Sequence, residues 1–480
     1  MNAKAEAVAF APPKQAELLS RLAAIVGAQH LLTETADLAP YLNEPRDLFH
    51  GQALCVVKPG STAEVSALVA ICAETGTKIV PQGGNTGLVG GQTPSERGDE
   101  IVLSLTRMNK LRDVDPSSNT LTVEAGMTLA EAQNEADRVE RYFPLSLAAE
   151  GSCTIGGNLA TNAGGTAVVA YGNARDLCMG VEVVLADGRV LSDLSKLKKD
   201  NTGYDLKNLF IGSEGTLGII TAAVLKLYPK PREFATAFVG LASRRRAVRL
   251  LDLAHDMTGG DVKTFELIPR LGLDFVLKHG EGVRDPLPSP HAHYVLLELA
   301  SQSGGLSDRL VGLLEKAVED DIIEDAAVAT SLDQRRAFWR LRELLPDVQA
   351  CEGGSIKHDI SVPISDVPDF LEEVEAALGQ SVPGARLLAF GHLGDGNIHC
   401  NLSQPVGADK AAFLARWDEV NTIVHDIVAA HHGSISAEHG IGRLKRGLLP
   451  HVKDPVALDL MRTLKATLDP RGILNPGKVL

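Results

Sequence analysis

The stretch PQGGNTGLVGGQTP, Pro81 to Pro94, carries five glycines between Gly83 and Gly91. Ordering a glycine costs roughly 0.5–1 kcal/mol relative to alanine, so a backbone this bare implies something lying close against it. Upstream, STAEVSALVAICAETG reads as a helix. Ser61 caps it, Glu64 completes a capping box, Val65, Leu68, Val69 and Cys72 share one face, and Gly76 stops it. KIVP then reads as a short strand ending at the glycines. A helix, a strand and a turn deliver the loop.

Working outward, IVLSL and LTVEAG are strands, and TLAEAQNEADRV is a helix capped by Thr128. GVEVVLADGRVL is a hairpin around Asp187-Gly188. FIGSEGTLGIITAAVLKLYP ends in a further strand, and PKPRE marks a boundary near residues 229–233. Beyond it, FVGLAS, TFELI and HYVLLELA read as strands. SDRLVGLLEKAVED, DQRRAFWRLRELL and VPDFLEEVEAAL read as helices. That pattern predicts an antiparallel sheet with helices packed on one face, an α+β domain. The last 50 residues read as mostly helical and close in RGILNPGKVL.

A chain of 480 residues implies two or more domains. Its net charge of −14 argues against wrapping nucleic acid and favours solubility. Six cysteines without a C-x-x-C pair fit reduced, mostly buried thiols in a cytoplasm rather than a disulfide framework. The start, MNAKAEAVAFAPPKQ, reads as without a signal peptide, and the first dozen residues as frayed. No apolar run approaches the roughly 20 residues of a membrane span.

Two more glycine-rich segments follow the first: GSCTIGGNLATNAGG, Gly151–Gly165, and GSEGTLG, Gly212–Gly218. A plain turn accounts for any one of them; three together point to one long ligand. No Gly-Lys-Ser/Thr follows, and no G-x-G-x-x-G occurs, so neither a P-loop nor a Rossmann site is supported. A dinucleotide with a large flat ring fits better.

PQGGNTGLVGG, GSCTIGGNLATNAGG and YDLKNLFIGSEGTLGIIT resemble the FAD-binding segments of the vanillyl-alcohol oxidase/PCMH flavoprotein superfamily, and their spacing resembles its D-2-hydroxyacid dehydrogenase branch. The resemblance covers nearly the whole chain. It implies an α+β fold: a two-subdomain, PCMH-type FAD-binding domain over residues 1–230, an α+β substrate-binding cap over 231–430, and a helical segment over 431–480 that packs back on the FAD domain. It further implies that FAD is held by Pro81, Gly83, Gly84, Asn85, Thr86 and Gly87, by Gly151, Ser152, Gly156, Gly157, Asn158, Thr161, Asn162 and Gly165, by Gly215, Ile219 and Ile220, and by Asn475. Positions 81–94 hold no His or Cys, so FAD is expected to be non-covalent.

FGHLGDGNIHCNLS places His392 and His399 seven residues apart around Asp395-Gly396, and SAEHGIG supplies Glu438 beside His439. Two imidazoles and a carboxylate make a three-ligand metal site with open positions. Hydrogen-bonded polar residues at a domain seam are the alternative. The residues alone do not choose among the histidines. The resemblance assigns His392, His399 and Glu438 as ligands of a divalent metal, zinc or a similar ion, and His439 as general base. His431 and His432 read as a helix end. A 2-hydroxy acid must lose a hydroxyl proton and a hydride, and a metal, a base and a flavin answer those needs.

Arg342 and Lys357 could sit on a helix and a following strand facing one site. Arg342 can grip a carboxylate with two parallel hydrogen bonds, whereas Lys357 is more a point charge. The resemblance makes both, with Asn401, substrate-carboxylate residues. It also exposes a departure: Pro346 stands where the family's hydroxyglutarate enzymes carry a threonine that meets the distal carboxylate, and proline has no donor. The expected substrate is a D-2-hydroxy acid, D-2-hydroxyglutarate or D-malate, with D-lactate dehydrogenase or a glycolate oxidase subunit as the alternative. A metal-dependent hydrolase binding a nucleotide is the non-flavin rival, and a catalytically silent flavin subunit is a third. No nicotinamide motif or iron–sulfur cysteine set is present, so electrons are expected to leave to an external carrier, an electron-transfer flavoprotein or a quinone. A cytoplasmic homodimer is expected.

Overall fold

Ser61 caps the Thr62–Thr75 helix by accepting from the Glu64 N–H, and Gly76 ends it at a φ of 72°. The expected capping box is not closed. Glu64 turns its carboxylate to the Gly60 N–H at 2.8 Å, on the side where Arg107 lies 3.9 Å away. Val65, Leu68, Val69 and Cys72 are fully buried, packed in one core with Leu18 and Leu22 of the Pro12–Val26 helix and with Ile79 and Ile101 of a sheet. Each such side chain contributes roughly 1.5–3 kcal/mol. The computed structural model describes residues 12–480; the expected frayed start without a signal peptide concerns the residues before these.

That sheet has the order Leu31–Leu32, Cys55–Val57, Glu100–Ser104, Lys78–Gln82, its last three strands parallel. Parallel neighbours need a crossover. Between Lys78–Gln82 and Glu100–Ser104 the crossover is the first glycine loop, which therefore leaves the carboxyl end of the last strand in this order. A five-stranded antiparallel sheet follows, in the order Leu111–Asp115, Thr120–Glu124, Ile219–Lys226, Cys178–Val184, Val190–Asp193. Gly188, at a φ of 87°, turns its last hairpin. The end of the chain returns to the first sheet: the Ile79 N–H donates to the Ile473 carbonyl and the Asn475 N–H to the Ile79 carbonyl, both at 2.8 Å. These elements form one unit, made of the residues up to Ala163, Asn173–Pro229 and Glu438–Leu480.

The second unit takes Gly164–Gly172 and Lys230–Ala437. Its antiparallel sheet has the order Asp325–Val328, Glu233–Leu241, His293–Ser301, Val262–Pro269, Arg386–His392, Asn397–Ser403, Ser355–Ile356, with Asp359–Ser361 also paired to Asn397–Ser403. The expectation of helices on one face is corrected. Every residue of Val262–Pro269 is buried, and so is all of His293–Ser301 after His293, so both faces of the sheet are covered. One face, with Phe238, Ile268 and Leu296, shares a core with the Arg270–His279, Leu332–Glu343 and Leu345–Cys351 helices. The Arg244–Thr258 and Leu306–Glu319 helices contact the same strands from outside that core. Periodicity within one strand cannot reveal this, because a strand buried on both sides shows no alternation.

Candidate active site

A cleft of ≈ 890 Å³, open to solvent, runs through the first unit. Its walls are Pro81, Gly83, Gly84, Asn85, Thr86 and Gly87 of the first glycine loop, Gly156, Gly157, Asn158 and Thr161 of the second, Gly215, Ile219 and Ile220 of the third, and Asn475. The loops touch through bare backbone. A Cβ at Gly84 would lie 1.8 Å from the Ser152 carbonyl oxygen, and one at Gly83 2.2 Å from Thr154 Oγ1. Gly84→Ala is therefore expected to cost about 1–3 kcal/mol, as overpacking does, and to lower the ligand content of the purified protein. A wild-type flavin-to-protein absorbance ratio would contradict this.

Gln82 Oε1, Asn85 Oδ1 and Asn475 Oδ1 are buried on this wall without a hydrogen-bond partner among the described residues. Buried polar atoms are normally satisfied, so these acceptors await donors from a ligand. FAD fits: glycine backbone admits its pyrophosphate, and its hydroxyl and amino groups match the three amide oxygens.

Glu214, left-handed at a φ of 52°, ties the cleft together. Its Oε1 accepts from the Ile441 N–H at 2.7 Å and its Oε2 from the Gly442 N–H at 2.9 Å. Asn475 Nδ2 donates to its carbonyl at 2.7 Å. Burial pushes the carboxyl up to about 7, against the pull of the two N–H groups. These bonds fix the turn just after His439, and His439 lines the same cleft.

In the second unit, Arg386–His392 and Asn397–Ser403 form a hairpin turned at Gly396, whose φ is 80°. It brings the His392 and His399 rings edge to face with centroids 5.5 Å apart. Ala437 donates its N–H to the Asp359 carbonyl at 3.4 Å, and Asp359 is the strand partner of His399. Glu438 follows in the chain, one Cα step of about 3.8 Å further on. The His392 and His399 hairpin could therefore supply two imidazole nitrogens to a metal.

Glu266 stands behind His392, fully buried, with Oε1 2.5 Å from His392 Nδ1. Its Oε2 accepts from Arg342 Nε at 2.6 Å. Burial raises its pKa, but the charges of His392 and Arg342 outweigh that and bring it to about 2. The Arg342 guanidinium also lies over the Phe390 ring, 4.8 Å from its centroid. Lys357, half-buried, sits between the two short strands that pair with Asn397–Ser403. Asn401 is buried and occupied: Nδ2 donates to Gln349 Oε1 at 3.0 Å, and Oδ1 accepts from the His358 N–H at 3.2 Å. Pro346 lies near the start of the Leu345–Cys351 helix and is exposed.

Residues 230–479 match the family described as FAD linked oxidases, C-terminal domain, and residues 53–193 match the FAD binding domain. The mitochondrial D-2-hydroxyglutarate dehydrogenase of Arabidopsis thaliana is 36% identical over 457 residues, 95% of this chain and 80% of that protein. The D-2-hydroxyglutarate dehydrogenase of Xanthomonas citri pv. viticola is 37% identical over 454 residues, 95% of each chain. The chain belongs to the FAD-linked oxidase family, and these relatives in it are D-2-hydroxyglutarate dehydrogenases. It is an FAD-dependent oxidoreductase that dehydrogenates a D-2-hydroxy acid. The fold agrees: p-cresol methylhydroxylase, solved with substrate bound, superposes with a TM-score of 0.77 at 17% identity, covering 98% of this chain and 97% of that one. The expected PCMH-type α+β fold is thus present, and the nucleotide hydrolase alternative is set aside.

Within this FAD-linked oxidase, fourteen of the residues expected to hold the cofactor line the one cleft, and four do not. Gly151 and Ser152 are exposed, Ser152 acting from behind through its contact with Gly84. Asn162 ends the Ile155–Thr161 helix and spends Oδ1 on the Arg175 N–H at 3.0 Å. Gly165 belongs to the second unit. Sequence reasoning missed Gln82, Thr154 and Glu214, which line the cleft from inside the very segments quoted for their glycines. It also missed Glu266, whose signal was a lone acid inside the apolar run TFELI. Among the described residues no helix is long and apolar enough to cross a membrane. His431 closes the Trp417–Ala430 helix.

Proposed function

We propose that the substrate is a D-2-hydroxy dicarboxylate, D-2-hydroxyglutarate or D-malate, and that the reaction is assisted by a divalent metal, zinc first among the candidates. The observation that supports the reading is His439 on the cleft wall, directly after the carboxylate Glu438 in the chain. FAD, when bound, supplies the hydride acceptor at its N5. A divalent ion held by His392, His399 and Glu438 would supply a Lewis acid that eases ionisation of the substrate hydroxyl. His439 takes the hydroxyl proton. Arg342 keeps its two Nη groups for an anion, since its Nε is spent on Glu266. Lys357 adds a second cation, and Asn401 the amide proton not given to Gln349.

FAD is proposed to be non-covalent, because the first loop offers no His or Cys. Electrons leave to an external carrier such as an electron-transfer flavoprotein or a quinone. A homodimer in the cytoplasm is the proposed setting; six free cysteines, five of them buried, suit a reducing compartment. D-Lactate or glycolate oxidation is the second reading, favoured by the exposed Pro346, which leaves one fewer donor for a distal carboxylate.

A panel of D-2-hydroxy acids with a dye acceptor tests the choice. Arg342→Ala should cost a dicarboxylic substrate about 1.5–3 kcal/mol in kcat/KM, the worth of hydrogen bonds to a charged group, and cost D-lactate much less. Equal losses, or a wild type that prefers D-lactate, would remove the second acid group from the proposal.

A further inference from the structure

We propose that Glu266 is a positioning residue that sets both the tautomer of His392 and the direction of the Arg342 fork, joining the metal site and the anion site through one carboxylate. The inference rests on the metal reading above. Glu266 lies on Val262–Pro269 directly opposite His392 on the neighbouring strand, so the two side chains stand on one face of the sheet. Arg342 reaches the same carboxylate from the Leu332–Glu343 helix.

Each oxygen has one job. An ionised carboxylate only accepts, so His392 must carry its proton on Nδ1 to make the 2.5 Å bond to Oε1. That puts the ring's lone pair on Nε2, the nitrogen that would ligate a cation. Carboxylate–histidine pairs of this kind orient metal ligands and raise their basicity. The other oxygen holds Arg342 Nε at 2.6 Å, so the guanidinium presents its Nη edge rather than its Nε edge to an incoming anion. Residues 266 and 392 are 126 positions apart, and 266 and 342 are 76 apart. Neither flavin nor substrate chemistry explains a fully buried acid at that place.

A carboxamide exposes the logic. Arg342 Nε can only donate, so in Glu266→Gln the amide oxygen must face Arg342 and the amide NH₂ must face His392. His392 Nδ1 must then accept, its proton moves to Nε2, and the metal-facing lone pair is lost. Glu266→Gln thus damages the metal site while preserving the bond to arginine.

The test uses flavin-loaded enzyme stripped of metal and titrated with zinc against a chromophoric chelator. Glu266→Gln should bind zinc 10- to 100-fold more weakly than wild type, the range typical of lost outer partners, with flavin content unchanged. Arg342→Met should keep wild-type zinc affinity and lose on KM instead. Should Glu266→Gln yield no flavin-loaded protein, Glu266→Leu/Arg342→Met, which removes the buried charge pair as a unit, must show the same loss against Arg342→Met. Unaltered zinc affinity in either Glu266 variant overturns the proposal. A wild type that takes up neither zinc nor any other divalent ion sinks the metal reading itself, which is a separate and recognisable failure.

Discussion

His439→Asn is expected to slow flavin reduction by about 10²–10⁴, the usual contribution of a general base, while the protein stays yellow and keeps its metal. The residue lines the flavin cleft, yet the turn after it is fixed by main-chain N–H groups of Ile441 and Gly442 bonded to Glu214. None of those bonds involves the imidazole. Asparagine preserves size and polarity at position 439 without a nitrogen that can take a proton, so the loop should keep its course. Stopped-flow reduction with a saturating D-2-hydroxy acid reads the effect. A loss of less than tenfold would show that the proton leaves by another route.

His392→Asn should do more, removing the metal and with it at least about 10³ in rate, since Lewis-acid stabilisation is worth several kcal/mol. The ring has two engagements that asparagine cannot both replace. Its Nδ1 side meets Glu266, and an asparagine N–H can still donate there. The opposite nitrogen has no counterpart in the shorter side chain. The buried carboxylate therefore keeps a donor and the fold survives, but the ligand is gone. Chelated wild type should regain turnover with zinc or manganese, and the variant should not. Metal content by elemental analysis checks this directly. A variant that holds metal as wild type does would reassign the ligand.

The local grammar of the chain was legible. Ser61, Thr128, Gly76 and Gly188 act where their chemistry places them, because caps and turns depend on neighbours a few residues away. The glycine loops were legible for the same reason, each being a contiguous run that must admit a ligand. What escaped depends on distant partners. Glu214 looked like punctuation in GSEGTLG, and only the return of residues 441 and 442 gives its carboxylate two donors. Glu266 meets His392 through strand register, which a single strand does not encode. Gly164–Gly172 follows a flavin loop in sequence but folds with the second unit, where Val168–Tyr171 packs on Val262–Pro269. The two covered faces of the large sheet were hidden because its inner strands are buried along almost their whole length, so no alternation marks a solvent face.

Metal-assisted flavin reduction is tested most directly by anaerobic mixing of the flavin-loaded enzyme with D-2-hydroxyglutarate, followed by the flavin's visible absorbance. The D-acid should bleach the flavin, its L-enantiomer should not, and prior chelation should abolish bleaching while leaving the flavin bound. A flavin that no D-2-hydroxy acid reduces, or one reduced equally fast by metal-free protein, would contradict it.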